Sequence, residues 1–175
     1  MSEPFDRRDL LKLFTASALA AMPLQLTAAS FGKPLYFSEQ EFLLLDTLAE
    51  LIIPRDSHSP GAHDAQVASY IDHMVAEAFL PEEKQSWNAG LAEIDRLSVE
   101  SNKHPFVKAN KNAQISLLKK LAKPDDEPKT AAEKFFHQLK SATVFGYYTT
   151  DIGIHKEIEY KGNVIQEQFS GYDAV

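Results

Sequence analysis

Apolar residues recur at helical spacing over five stretches of the chain, and prolines, glycines and charges fill the gaps between them. The clearest stretch is 130–151, which is also the most aromatic. Thr130 and Glu133 have capping-box spacing, so a hydroxyl and a carboxylate can satisfy the first free amides of a helix. Ala132, Phe135, Phe136, Leu139, Ala142, Thr143, Gly146 and Tyr147 then share one face, opposite Lys134, His137, Gln138, Lys140 and Ser141. This segregation ends near Val144. Val144, Phe145, Tyr147 and Tyr148 surround the helix with large apolar groups, and this end is expected to be covered on all sides, by the domain or by another protein. Gly146 marks a close approach, since an interior glycine costs a helix roughly 1 kcal/mol against alanine.

Four shorter patterns precede it. Ser38 and Glu41 make a second capping box before a helix that Pro54 stops. Its apolar positions, Phe42, Leu44, Leu45, Leu48, Ala49, Leu51 and Ile52, leave only Asp46, Thr47 and Glu50 as a polar strip, the signature of a central core helix. Residues 55–63 form a loop rich in Ser, Pro and Gly. Asp64 is positioned to cap the next helix, where Val67, Ala68, Ile71, Met74, Val75, Ala78 and Phe79 repeat up to Pro81. Glu82 and Glu83 favour the start of a third helix, carrying Trp87, Leu91, Ile94 and Leu97 on one stripe until about Asn102. His104-Pro105 breaks the chain, and Phe106 and Val107 read as a plug into the core. Ala113, Leu117, Leu118 and Leu121 then define a short helix, followed by the solvated linker 123–129. Beyond Asp151 the period is lost. Ile152, Tyr160, Phe169 and Tyr172 are spread among Gly153, Gly162 and Gly171, which predicts an irregular tail extended over a surface. The expected fold is therefore all-α, a single domain of about five main helices with an extended C-terminal tail.

The first 29 residues do not belong to this pattern. Arg7, Arg8, Leu10, Leu11 and Lys12 precede a short Ala-rich apolar run, Leu13 to Met22, and small residues at Thr27 and Ala29 offer a cleavage point. The run is much shorter than the roughly 20 residues a membrane span needs. This segment resembles a twin-arginine export signal, with Asp6 in place of the usual hydroxyl residue and Leu10 in place of the common Phe. The resemblance implies translocation of folded cargo by the twin-arginine translocase and a periplasmic location. Domain limits are expected at 1–29 for the signal and 30–175 for the helical domain. Segment 1–29 carries three acidic and three basic side chains, so the domain alone keeps the formal charge of −7.

The 175 residues suffice for one cored domain, and the charge of −7 with a pI near 5.3 argues against nucleic acid as a partner. Cysteine is absent, which excludes disulfides, thiolate metal sites, CxxCH haem attachment and Cys-ligated iron-sulfur clusters. The six histidines show no HxxxH or HExxH spacing. Asp46, Glu50 and Asp72 would suit acid-base chemistry if their helices met, though solvated helix faces explain them more simply. No phosphate-binding glycine loop, dinucleotide fingerprint or nucleophile elbow is present. No catalytic, cofactor-binding or metal residue is therefore assigned. Tyrosines 147, 148, 160 and 172 suit core or interface anchoring better than cofactor stacking.

The order and spacing of Phe37-Ser-Glu-Gln-Glu-Phe42, Leu51-Ile-Ile-Pro54, Pro60-Gly-Ala62, Ile71-Asp72, Phe135-Phe136, Gly146-Tyr-Tyr-Thr-Thr-Asp-Ile-Gly153 and Tyr160-Lys-Gly162 resemble the gluconate 2-dehydrogenase subunit 3 family. The resemblance covers nearly the whole chain. It implies a non-catalytic small subunit of a periplasmic sugar or sugar-acid dehydrogenase, with FAD on a large subunit and haem on a cytochrome c partner. The small subunit would assist maturation and export of the flavoprotein. Phe145, Tyr147, Tyr148, Ile152, Tyr160, Phe169 and Tyr172 are the expected interface. A stand-alone periplasmic enzyme or binding protein is the alternative.

Overall fold

Ser38 opens the first helix: its hydroxyl accepts the Glu41 amide at 3.3 Å, and the Glu41 carboxylate accepts the Ser38 amide at 2.9 Å. This is α1, Glu39–Ile52, in a computed structural model that describes residues 33–123 and 127–162. α2 runs Val67–Glu77 and α3 Pro81–Asn102. A 3-10 turn at Phe106–Lys108 leads to α4, Lys111–Ala122, then α5, Ala131–Tyr148, and a π-helical turn, Gly153–Glu157. Among the described residues the protein is all-α, and α5 packs against each of the other four α-helices.

The core forms where the apolar stripes converge. Leu45, Leu48 and Ala49 of α1, Val67, Ala68 and Ile71 of α2, Ile94 of α3 and Leu139 of α5 are all fully buried. α1 is the central helix its pattern predicts. The break after α3 also behaves as expected. Phe106 is fully buried, its amide donates to Asp95 Oδ1 at 2.7 Å, and its carbonyl accepts from Gln114 Nε2 at 2.7 Å. Those two bonds satisfy the backbone of a residue that enters the core outside any long helix.

Three local expectations are corrected. Asp64 does not cap α2: Gln66 holds that place with φ 55°, and Asp64 pairs with Arg55. Asp72 does not join Asp46 and Glu50, nor does it lie on a solvated face. It is buried, and its carboxylate accepts the amides of Leu35 (2.6 Å), Tyr36 (3.1 Å) and Phe37 (3.0 Å), fastening the segment before α1 to α2. The chain after Asp151 is not extended from its start, because residues 153–157 turn once more, with the Ile158 amide on the Gly153 carbonyl at 3.1 Å. Arg7, Arg8, Leu10, Leu11, Lys12, Phe169 and Tyr172 lie outside the described residues.

Candidate functional site

Glu50, at the end of α1, shapes the loop between α1 and α2. Its carboxylate accepts the amides of Arg55 and His63, each at 2.9 Å, and so closes the neck of the loop. Gly61 faces that carboxylate so closely that a Cβ there would overlap it and the Arg55 amide. Within the loop, Asp56 Oδ1 accepts the amides of His58 (2.7 Å) and Ser59 (2.9 Å), which holds the Asp56 carboxyl below the usual range. Arg55 grips Asp64 Oδ2 at 2.6 and 2.9 Å and depresses that carboxyl as well.

His63 Nδ1 lies 2.7 Å from Asp46 Oδ2. Burial pushes the Asp46 carboxyl up from its ordinary value, and the hydrogen bond to His63 pulls against it. An imidazole on a buried carboxylate is an arrangement that acid-base chemistry uses. Here Asp46 Oδ2 holds His63 while the Glu50 carboxylate holds the backbone at the neck of the loop, and the two residues act as its brace.

The far side of the loop rests on α5. Tyr147 is fully buried, and its hydroxyl donates to the Pro60 carbonyl at 2.6 Å. That leaves the Ser59 hydroxyl as donor to the Tyr147 oxygen, 2.7 Å away. Burial is the main reason the phenol is pushed up. The π-helical turn closes the same corner, where His58 Nε2 lies 3.3 Å from the Glu157 carbonyl. The stretch α1 end, loop 53–66, α5 end and 153–157 thus forms one braced corner.

The rings expected at the interface divide at this corner. Tyr147 is removed from that set, since its own chain encloses it. Phe145 is 61% exposed and Tyr148 38%, so the helix end is covered by the domain on one side alone. Ile152 is partly buried against the core, and Tyr160 is 46% exposed. Phe145 does not stand alone: its ring is 6.2 Å from that of Tyr70 on α2, which also fills the niche left by Gly146.

The family model described as Gluconate 2-dehydrogenase subunit 3 matches residues 39–164. The chain belongs to that family. The family is one of subunits of gluconate dehydrogenase complexes, which implies a dehydrogenase as partner. The matched span contains the five α-helices of the described residues, the braced loop and the exposed rings Phe145, Tyr148 and Tyr160; Arg7 and Arg8 precede it. No curated protein and no solved structure matches the chain.

Two residues of the apolar repeat 67–79 do not lie inside: Met74 is 37% exposed and Phe79 94% exposed, with Leu80 beside it 49% exposed. The signal was Pro81, which disfavours helix in the residue before it; α2 ends at Glu77, so Phe79 no longer follows the helical period.

Proposed function

We propose that this chain is the non-catalytic small subunit of a periplasmic FAD-dependent sugar or sugar-acid dehydrogenase, and that it assists maturation and twin-arginine export of its flavoprotein partner. Family membership over residues 39–164 carries this reading. Two further features support it: the Arg7-Arg8 motif ahead of the domain, and aromatic rings left uncovered at the end of the helix that organises the core. A buried interface draws most of its affinity from a few such rings. The partner carries the flavin and the oxidation of the sugar, and a cytochrome c subunit takes the electrons. In this division of labour, the braced corner presents Phe145 and Tyr148 on a rigid support, so little ordering is needed on docking.

Co-expression of the affinity-tagged chain with its dehydrogenase subunit tests the assignment. Flavin absorbance and sugar-acid oxidation should be retained with the tag, and replacing Arg7 and Arg8 by lysine should leave the dehydrogenase in the cytoplasm. A dehydrogenase that reaches the periplasm undiminished would overturn the export role.

A further inference from the structure

The corner between α2 and α3 is tight and well tied. The Ala78 amide donates to Val75 at 3.2 Å, the Glu83 amide to Leu80 at 3.1 Å, and Lys84 Nζ reaches back to the Ala76 carbonyl at 2.8 Å. Pro81 occupies the first turn of α3. From this fixed corner Phe79 projects almost wholly into solvent, with Leu80 beside it. An exposed phenylalanine in a rigid turn contributes no packing to its own fold. It has the form of an anchor.

Its surroundings state what it fits. Glu77, Glu82 and Glu83, which flank Phe79 and Leu80 along the chain, are exposed, while the one lysine of stretch 77–84, Lys84, is turned inward to Ala76 and the Tyr36 ring, 5.7 Å from its centroid. The knob therefore wears an acidic collar. It also closes the helix that meets the ring surface already described: the Phe145 ring is 6.2 Å from that of Tyr70, and Tyr70 and Met74 are i, i+4 neighbours on one face of α2, which ends just before the corner, with Met74 37% exposed. About 10 Å of helix connects Tyr70 to the corner.

We infer that Phe79, with Leu80, is the anchor by which this subunit docks on its dehydrogenase partner, entering an apolar pocket rimmed by arginine or lysine, with the track from Phe145 along α2 as the remainder of the same interface. This rests on the subunit reading above. A second copy of this chain is a poorer occupant. A groove of about 410 Å³ between α1, α3 and the 3-10 turn includes the carboxylates Glu41 and Asp95 against the one cation Lys108, and two chains of −7 repel. An anionic lipid surface is disfavoured by the same collar.

The experiment uses the full-length chain co-expressed with its dehydrogenase subunit, measuring retained flavin and the dissociation constant of the purified pair. Phe79→Ser should weaken binding by at least about 30-fold, the factor for losing one buried anchor, with melting temperature unchanged. Glu82→Lys with Glu83→Lys should slow association and reverse its salt dependence. Phe79→Ser binding within twofold of wild type overturns the anchor, as does Phe79-dependent self-association or Phe79-dependent binding to anionic vesicles. If the wild-type chain retains no flavoprotein, the subunit reading itself falls, and the anchor with it; if wild type and Phe79→Ser retain it equally, only the anchor falls.

Discussion

The two halves of α5 carry similar rings and treat them oppositely. In the first half Phe135 and Phe136 are buried, and Phe135 packs edge-on against Trp87 at 5.5 Å. In the second half only Tyr147 goes inside, while Phe145 and Tyr148 remain outside. A glycine serves each half. Gly90 of α3 lies flat against the Phe135 ring, and Gly146 of α5 itself receives Tyr70. The first niche is sealed within the core; the second opens to the surface. Ring content alone therefore does not decide burial. A ring is buried where a neighbouring helix offers a niche, or where its polar end finds partners, as Tyr147 finds Pro60 and Ser59.

Filling the two niches breaks this comparison most sharply. Gly90→Ala forces a methyl into the buried Phe135 ring, an overpacking cost of up to about 3 kcal/mol, and after a gain of about 1 kcal/mol in helix propensity the net loss should be about 2 kcal/mol in chemical denaturation. Gly146→Ala meets Tyr70, whose partly exposed ring can shift; helix propensity offsets up to about 1 kcal/mol, so the net change should stay under about 1 kcal/mol. Equal losses would show that the two ends are packed alike.

Tyr147→Phe comes next in size. It keeps the ring but removes both hydrogen bonds of the hydroxyl, leaving the Ser59 hydroxyl and the Pro60 carbonyl only their 3.3 Å bond to each other, and about 1 kcal/mol of stability should be lost. Loop 53–66 should also exchange its amide hydrogens faster, because the Tyr147 hydroxyl ties Ser59 and Pro60 of the loop to α5.

Most of the scaffold was legible in the sequence because it rests on local rules. Ser38 with Glu41 and Thr130 with Glu133 are capping boxes by spacing, and Pro54 and Pro81 bound helices by steric exclusion. The 3.6-residue period placed Leu45, Leu48, Ile94 and Leu139 inside. The functional surface was only half legible. Tyr147 and Phe145 are both large and aromatic, and two residues apart on a helix they point to different sides. Which side is inside depends on where Ser59, Pro60 and Tyr70 arrive from other elements, and that is long-range information. Asp72 was unreadable for the same reason, since its three amide donors lie more than thirty positions earlier.

Asp46 supplies a smaller test, on the loop's brace. Because its carboxyl is raised by burial, the folded state holds that proton more tightly than the unfolded chain does, and stability from this group falls as pH climbs above about 3.8. Asp56 and Asp64, both lowered, act in the opposite sense and in the adjoining window, losing their contribution as pH falls below about 3.8. Asp46→Asn should therefore gain on wild type as pH rises from about 3.8 through the raised folded value of Asp46, and then level off. A difference that is flat with pH would mean that burial does not govern this carboxylate.

The most direct measurement concerns the exposed end of α5. The full-length chain and its Phe145→Ser/Tyr148→Ser variant are each co-expressed, tagged, with the dehydrogenase subunit, and the flavin recovered per tagged chain is compared at equal melting temperature. Retention by the wild type and a loss of at least tenfold in the variant is the expected result. Equal flavin on both would mean that these rings face only water and that the dehydrogenase docks elsewhere.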